Sequence, residues 1–297
     1  MSKYEFIDSQ KNDLENLNPV SKMCRWSTVS TSGFYHWRSR LQLVTAARRE
    51  ALTINIKRLF DATDKTYRYR RIQADLVAEA TQCSLELVRQ IMRQEDLTPC
   101  PPRPLRVTTL ADPEAVAVVP DLVNRDFTAQ APGVKFVSDI TYIHTWQGFI
   151  YLATVIDCYS KKVVGWSIAD HMRVELVSNA LKNAAATTLI NPGAIFHSDH
   201  GSQYTSGTFL AQVKDLGMRS SMGRTGVCWD NVSVESFFSA LKNERIYRTV
   251  YATKVQGKRD VISYIEGFYN NRRRHSHLNY RRPNEVHYSY QPAHQAA

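Results

Sequence analysis

Residues 133–222 constrain the fold more than any other stretch of the chain. Apolar residues there no longer recur at helical spacing and fall into short runs separated by turn signals. Residues 134–143, 149–157 and 162–168 read as three strands. The segments between them, Thr145-Trp146-Gln147-Gly148 and Cys158-Tyr159-Ser160-Lys161, are too short for a crossover, so the strands are antiparallel neighbours. The pattern then alternates. A helix over 173–187 is stopped by Asn191-Pro192-Gly193, and a strand over 194–197, a helix over 206–216 and a strand over 218–222 follow. A turn around Gly226 opens into a further helix, with Glu235 in its second turn and Asp230 at its N-cap. A meander followed by strand–helix alternation predicts a five-stranded mixed sheet flanked by helices, an α/β architecture.

The flanks differ from this core. Residues 1–106 read as helical. Ser30 caps a helix carrying Phe34 and Trp37, and an amphipathic stretch covers 44–60. Two short helices follow, one with Ile72, Leu76 and Ala80, the other opening at Ser84 with Leu85, Val88 and Met92 on one face. Arg89 and Arg93 lie on its other face. Such a pair suits a helix-turn-helix reader of DNA, and an ordinary bundle with a solvated charged face fits it equally well. The segment Lys65-Thr66-Tyr67-Arg68-Tyr69-Arg70-Arg71 interleaves cations with aromatics, which favours phosphate contact and stacking.

Pro99, Pro101, Pro102 and Pro104 make an extended connector, and residues 111–128 are expected to hold a short helix. At the C-terminal end Val261, Ile265, Phe268 and Tyr269 share one helical face. From Lys258 to Arg282 seven Lys/Arg, Arg272, Arg273 and Arg274 among them, face only Asp260 and Glu266. The expected divisions are an N-terminal helical region over 1–43, a helix-turn-helix-like region over 44–106 and a linker over 107–128. A core over 129–250 and a basic C-terminal helix and tail over 251–297 follow.

Composition narrows the function. A chain of 297 residues with a formal net charge of +10 suits a polyanionic partner, nucleic acid first. The five cysteines are odd in number and not at zinc-ligand spacing, which points to free thiols in a reducing compartment. Residues 1–8 lack the apolar core of a signal peptide, and the run 149–156 is too short to span a bilayer. The expected location is the cytoplasm, nucleoid-associated when bound to DNA. No phosphate-binding Gly-x-x-x-x-Gly-Lys loop is present.

Three carboxylates stand out by position. Asp139 follows an apolar strand, Asp199 ends another, and Glu235 lies on a helix 36 positions later. Gathered at one place they repel one another unless a cation neutralises them. Oxygen-only ligands favour Mg²⁺ or Mn²⁺ over zinc. Two such ions about 4 Å apart support phosphoryl transfer. Singly, each acid is more often a surface charge or a cap. His197 and His200 flank Asp199, with supporting roles the better fit. Lys242, seven residues beyond Glu235, falls on nearly the same helix face, beside a bound phosphate or simply in solvent.

Together, Val137-Ser138-Asp139-Ile140-Thr141, His197-Ser198-Asp199-His200-Gly201, Asp230-Asn231 and Glu235-Ser236-Phe237-Phe238 resemble the transposases of bacterial insertion sequences of the IS-three family, with 35 residues between Asp199 and Glu235. The segments Tyr69-Arg70-Arg71-Ile72 and Phe268-Tyr269-Asn270 extend the resemblance to almost the whole chain. It implies a retroviral-integrase-like core of RNase H-like type, preceded by a helix-turn-helix region. It also implies Mg²⁺-dependent cleavage of DNA and strand transfer, with Asp139, Asp199 and Glu235 as catalytic metal ligands and Lys242 approaching the element end. The partners it implies are double-stranded DNA (terminal inverted repeats and target), further copies in a homo-oligomer, and an upstream-frame partner or fusion. A nuclease that only hydrolyses and a non-catalytic DNA-binding regulator are the alternatives. Departures from the family pattern occur at Arg68, where a glycine is expected, and at Gly223, Thr225, Val227 and Ser233.

Overall fold

The computed structural model describes residues 2–11, 13, 16–39, 44–100, 119–223 and 232–291. The chain divides into two compact units, Met1–Leu59 and Phe60–Ala297. The first contains α1 (Lys3–Lys11), α2 (Val20–Trp26) and α3 (Thr31–Arg38). Ile7, Met23, Cys24 and Phe34 form its core, with Tyr4 stacked on Trp37 at 5.8 Å. Ser30 caps α3 as expected, its hydroxyl accepting from the Gly33 N–H at 3.0 Å. Helix α4 (Val44–Ala62) leads into the second unit.

There α5 (Tyr69–Ala78) and α6 (Leu85–Gln94) form the expected helix pair. Ile72, Leu76, Val88, Ile91 and Met92 are buried. Ser84 caps α6 by accepting from the Leu87 N–H at 3.2 Å. Pro101, Pro102, Pro104 and the start of the helix expected over 111–128 lie outside the described residues. The described end of that stretch, 119–128, holds turns and no helix. Asp121 Oδ1 accepts from the backbone of Val123 and Asn124, and Asp126 from Thr128. These local side-chain bonds compete with helix formation and win.

Five strands follow: β1 (Lys135–Thr145), β2 (Gly148–Asp157), β3 (Val163–Ala169), β4 (Ile195–Ser198) and β5 (Arg219–Met222). Their spatial order is β3-β2-β1-β4-β5. β1–β2 and β2–β3 are antiparallel, whereas β1–β4 and β4–β5 are parallel. This is an RNase H-like sheet. Side chains alternate between its faces. Phe136, Ala153, Val155 and Val164 meet α7 (Val174–Thr187) and α8 (Gly207–Asp215) on one side. Val137, Ile143, Ile150 and Leu152 meet α9 (Val232–Glu244) and α10 (Lys254–Ile262) on the other. At Gly165 the backbone of α7 lies directly over the sheet, and a Cβ there would come within 2.3 Å of the Ala180 carbonyl oxygen.

Helix α10 continues into a π-helical turn (Ser263–Tyr269), and α11 (Pro283–Tyr288) is the last helix among the described residues. This C-terminal part is strapped to the core. Asn270 bonds both the N–H and the carbonyl of Val163 at 3.0 Å. His287 reaches Ser160 and Thr188, each at 3.1 Å.

A buried polar cluster joins three remote segments. Glu244, at the end of α9, accepts from Arg273 Nη2 at 2.6 Å and Nε at 2.8 Å. It also accepts from the Tyr264 hydroxyl at 2.7 Å and, more loosely, from Arg71 of α5 at 3.4 Å. Beside it Arg274 pairs with Asp75 of α5, and the Tyr67 hydroxyl donates to the Arg272 carbonyl while accepting from the Arg274 N–H. Burial alone would push Glu244 up, but the Arg273 charge and its hydrogen bonds hold it below the ordinary carboxylate range.

Removing one partner of a buried, hydrogen-bonded ion pair strands the other charge at a cost of about 3–5 kcal/mol. Arg273→Ala is expected to lose about that much unfolding free energy in a urea titration at pH 7. A depressed folded-state pKa contributes stability above the unfolded carboxylate pKa that disappears as pH falls through the folded value. Glu244→Gln should therefore show a flatter fall of stability with acid than the parent, and an unchanged acid limb would contradict this account of the cluster.

Candidate active site

Asp139 lies in the middle of β1, and Asp199 directly follows the last residue of β4, the parallel neighbour. Pairing ends at Val137 opposite His197. Carried two residues further, the same register sets Asp139 opposite Asp199 where the strands part. Asp139 is half-buried, and its Oδ1 accepts from the Ile140 N–H at 2.6 Å. Its carboxyl is raised to about 7, first by burial, then by the charge of Asp199 and, after the opposing Ile140 bond, by that of Glu235. Asp139 therefore lies within reach of the charges of both other acids.

Glu235 arrives on α9 because Val234, Phe237, Phe238 and Leu241 bury that helix against the sheet. It is itself exposed, with its carboxyl raised by partial desolvation. Asp230, the expected cap, lies outside the described residues, as do positions 224–227 of the family departures. Lys242 sits two turns beyond Glu235. Burial lowers its pKa and the charge of Asp139 opposes that shift. Its ammonium stands over the Tyr142 ring, 5.7 Å from the centroid.

The surroundings fix two of the three acids from behind. Asp199 Oδ1 accepts from the Gly201 N–H at 3.0 Å, and a Cβ at 201 would crowd that oxygen at the same distance. Next to Asp139, the Ser138 and Tyr204 hydroxyls bond at 2.8 Å, and Tyr204 is buried against Phe196 and Phe209. His197 is buried with Nδ1 on Ser221 at 2.9 Å. His200 Nε2 is buried with no hydrogen-bond partner among the described residues.

The donor set is oxygen-only, which suits a hard divalent cation. Among the described residues no three His, Cys, Asp or Glu side chains converge closely enough to form a finished metal site. The half-buried Asp139, acted on by two like charges, nonetheless carries the kind of repulsion that a cation relieves.

The cations expected on DNA divide sharply. Arg89 and Arg93 are exposed on α6, Arg89 with a surface pair to Glu86 at 3.3 Å. Arg70 is exposed over the Tyr69 ring, and Arg272 is exposed. Arg71 is half-buried against Glu244. Arg273 and Arg274 correct the sequence reading: both are buried and bound to Glu244 and Asp75, leaving no guanidinium face for phosphate. A basic run with aromatics looks the same whether its charges meet phosphate or internal acids. Their partners, at positions 75 and 244, are too distant in sequence for any local pattern to reveal. Tyr67, read as a stacking residue, is likewise buried.

The chain matches the integrase core domain family over residues 129–228 and a second integrase core model over 216–283. An HTH-like domain matches 47–104. The fold and these matches define an integrase-type polynucleotidyl transferase core behind a helix-turn-helix-like region. The transposase InsF for insertion sequence IS3A of Escherichia coli (strain K12) is 32% identical over 276 residues, covering 92% of this chain and 94% of that one. The uncharacterized 31 kDa protein of insertion element IS600 of Shigella sonnei is 33% identical over 256 residues, or 86% and 94%. The chain belongs to the IS3 family of insertion-sequence transposases. A simian T-cell lymphotropic virus intasome, in complex with the PP2A regulatory subunit B56 gamma, overlaps 74% of this chain and 72% of its own. The identity is 15% and the TM-score 0.47, too loose an overlap to carry weight.

Among the described residues no helix is long and apolar enough to cross a membrane. Tyr204→Phe is expected to lower stability by about 1 kcal/mol, the ordinary worth of one buried hydrogen bond. Thermal or urea unfolding checks it, and an unchanged midpoint would mean that the Ser138 hydroxyl is satisfied without Tyr204.

Proposed function

We propose that Asp139, Asp199 and Glu235 hold two Mg²⁺ ions, which Mn²⁺ can replace, and that the protein cuts and joins DNA at the ends of its element. What supports this reading is the register that sets Asp139 opposite Asp199 where β1 and β4 part, with Glu235 on α9 near enough for its charge to act on Asp139. Bound metal would activate the attacking oxygen and stabilise the leaving one. Asp139 would bind from the sheet, Asp199 from a strand end and Glu235 from a helix. Lys242 steadies the phosphate beside them.

In the first step a water oxygen bonds to phosphorus at the element end. The bond from phosphorus to the 3′-oxygen breaks, and a 3′-hydroxyl and a 5′-phosphate are released. In the second, that 3′-hydroxyl oxygen bonds to phosphorus of another strand and displaces that strand's own 3′-oxygen. The core over 129–250 performs the chemistry. The helices over 44–106 contact double-stranded DNA, at the terminal inverted repeats first, through Arg70, Arg89 and Arg93. Arg272 adds a contact from the C-terminal segment. Two ends must be held together, so the working form is a homo-oligomer, with an upstream-frame partner or fusion supplying further end recognition. It acts in the cytoplasm, on the nucleoid.

Asp139→Asn is expected to keep end binding and to lose cleavage and joining with Mg²⁺, read on labelled element-end duplexes. Joining at the parent rate would overturn the assignment. Cleavage without joined product in the parent protein would favour a nuclease that only hydrolyses. For the DNA contacts, Arg93→Ala should weaken duplex binding across sequences and reduce the slope of log affinity against log salt by about one. An unchanged slope would remove Arg93 from the phosphate-binding set.

A further inference from the structure

The β1–β2 hairpin carries a group of exposed aromatic side chains that neither the fold nor the three carboxylates require. β4 pairs with β1 only over Lys135–Val137, so on that side β1 is an open edge from Ser138 onward. Along this edge Tyr142 is 59% exposed, and at the turn Trp146 is 74% exposed. Tyr247 and Val250 are exposed opposite them. Together with His144 and Lys242 these residues line a groove of about 250 Å³. It has room for one or two planar rings and none for a duplex.

The groove is held in shape. Phe149 packs edge-on against both Tyr142 and His144, at 5.3 and 5.4 Å. The Trp146 N–H donates to the Tyr251 carbonyl at 3.0 Å. Thr145 Oγ1 donates to the Gly148 carbonyl, and Gln147 Oε1 accepts from the Lys254 N–H. The turn that presents the indole is therefore tied both to itself and to the segment opposite. Lys242 links the groove to the carboxylates, with its ammonium over Tyr142 and within the field of Asp139.

Aromatic faces beside a cation match the two parts of a nucleotide: the base stacks and the phosphate meets the charge. We propose that this groove takes an unpaired base of a DNA strand, stacked between Trp146 and Tyr142, with the adjoining phosphate against Lys242. The proposal rests on the catalytic reading above, since it places the base next to the phosphate to be cut. Stacking is tolerant of sequence, so the groove senses whether a strand is melted and leaves the base identity unread. A second copy of the chain covering the same aromatics is the competing occupant.

The test uses the full chain, a fluorescein-labelled 20-residue oligothymidylate strand, and a blunt 20-base-pair duplex of mixed sequence, read by anisotropy. Trp146→Ala and Tyr142→Ala are each expected to weaken binding of the single strand about tenfold and that of the blunt duplex less than twofold. Trp146→Phe should recover most of the loss, which separates stacking from misfolding. Parent-like single-strand affinity in both alanine variants would overturn the proposal. So would an equal loss on strand and duplex, or a change in oligomeric state by sedimentation with strand binding intact. Cleavage by Asp139→Asn tests the catalytic reading separately: persistent cleavage there sinks that reading, whereas normal strand binding by Trp146→Ala sinks only the groove.

Discussion

A single buried carboxylate, that of Glu244, organises the second unit. Left alone in the interior it would be expelled or protonated. It is kept charged by Arg273, Tyr264 and Arg71, which come from the C-terminal segment, the π-helical turn and α5. Buried ion pairs add little net stability compared with an apolar replacement, but they are demanding about geometry. These bonds from three segments tie down the last turn of α9. Glu235 and Lys242 lie on the same helix, so the cluster also decides where these two side chains project.

The candidate site uses an opposite kind of electrostatics. Glu244 is a satisfied buried charge, whereas Asp139 is a frustrated one, flanked by the charges of Asp199 and Glu235 and supported by a single backbone N–H. Phe136 and Val137 are buried on opposite faces of β1 just before Asp139, and Ser138 is bonded to the enclosed Tyr204. Asp199 is exposed but held by the Gly201 N–H, and Glu235 is exposed on α9.

The sheet was legible in the sequence because its determinants are local. Alternation, short turns and the stop at Asn191-Pro192-Gly193 each act over a few residues, and the strands lie within a residue or two of where they were expected. Ser30 and Ser84 were legible as caps for the same reason. The spacing of Asp199 and Glu235 carried the family resemblance, and the order of strands then brought Asp139 to Asp199. Interior ion pairs were not legible. Arg273 and Arg274 looked like a phosphate-binding run, since nothing near them announces Glu244, 29 positions back, or Asp75, 199 positions back. Gly165 was also silent, because its role is to let the α7 backbone approach. The helix expected near 111–128 failed, in its described part, to side-chain bonds from Asp121 and Asp126.

These corrections change what the basic charge means. Part of the excess near the C-terminus neutralises internal acids and never faces solvent, so net charge overstates the surface open to DNA. The same arginines do something a surface cation could not. Arg71 and Arg273 bond one carboxylate, and Arg274 bonds Asp75 on α5, so the first helix of the helix-turn-helix-like pair and the helix bearing Glu235 share a buried anchor. A DNA contact made by α6 is therefore made on a body whose other end is the proposed catalytic helix. Any shift of α5 relative to α9 must break charge-assisted bonds in a dry interior, where an unpaired charge is most costly. On the proposed reading, end recognition and chemistry would share this buried anchor.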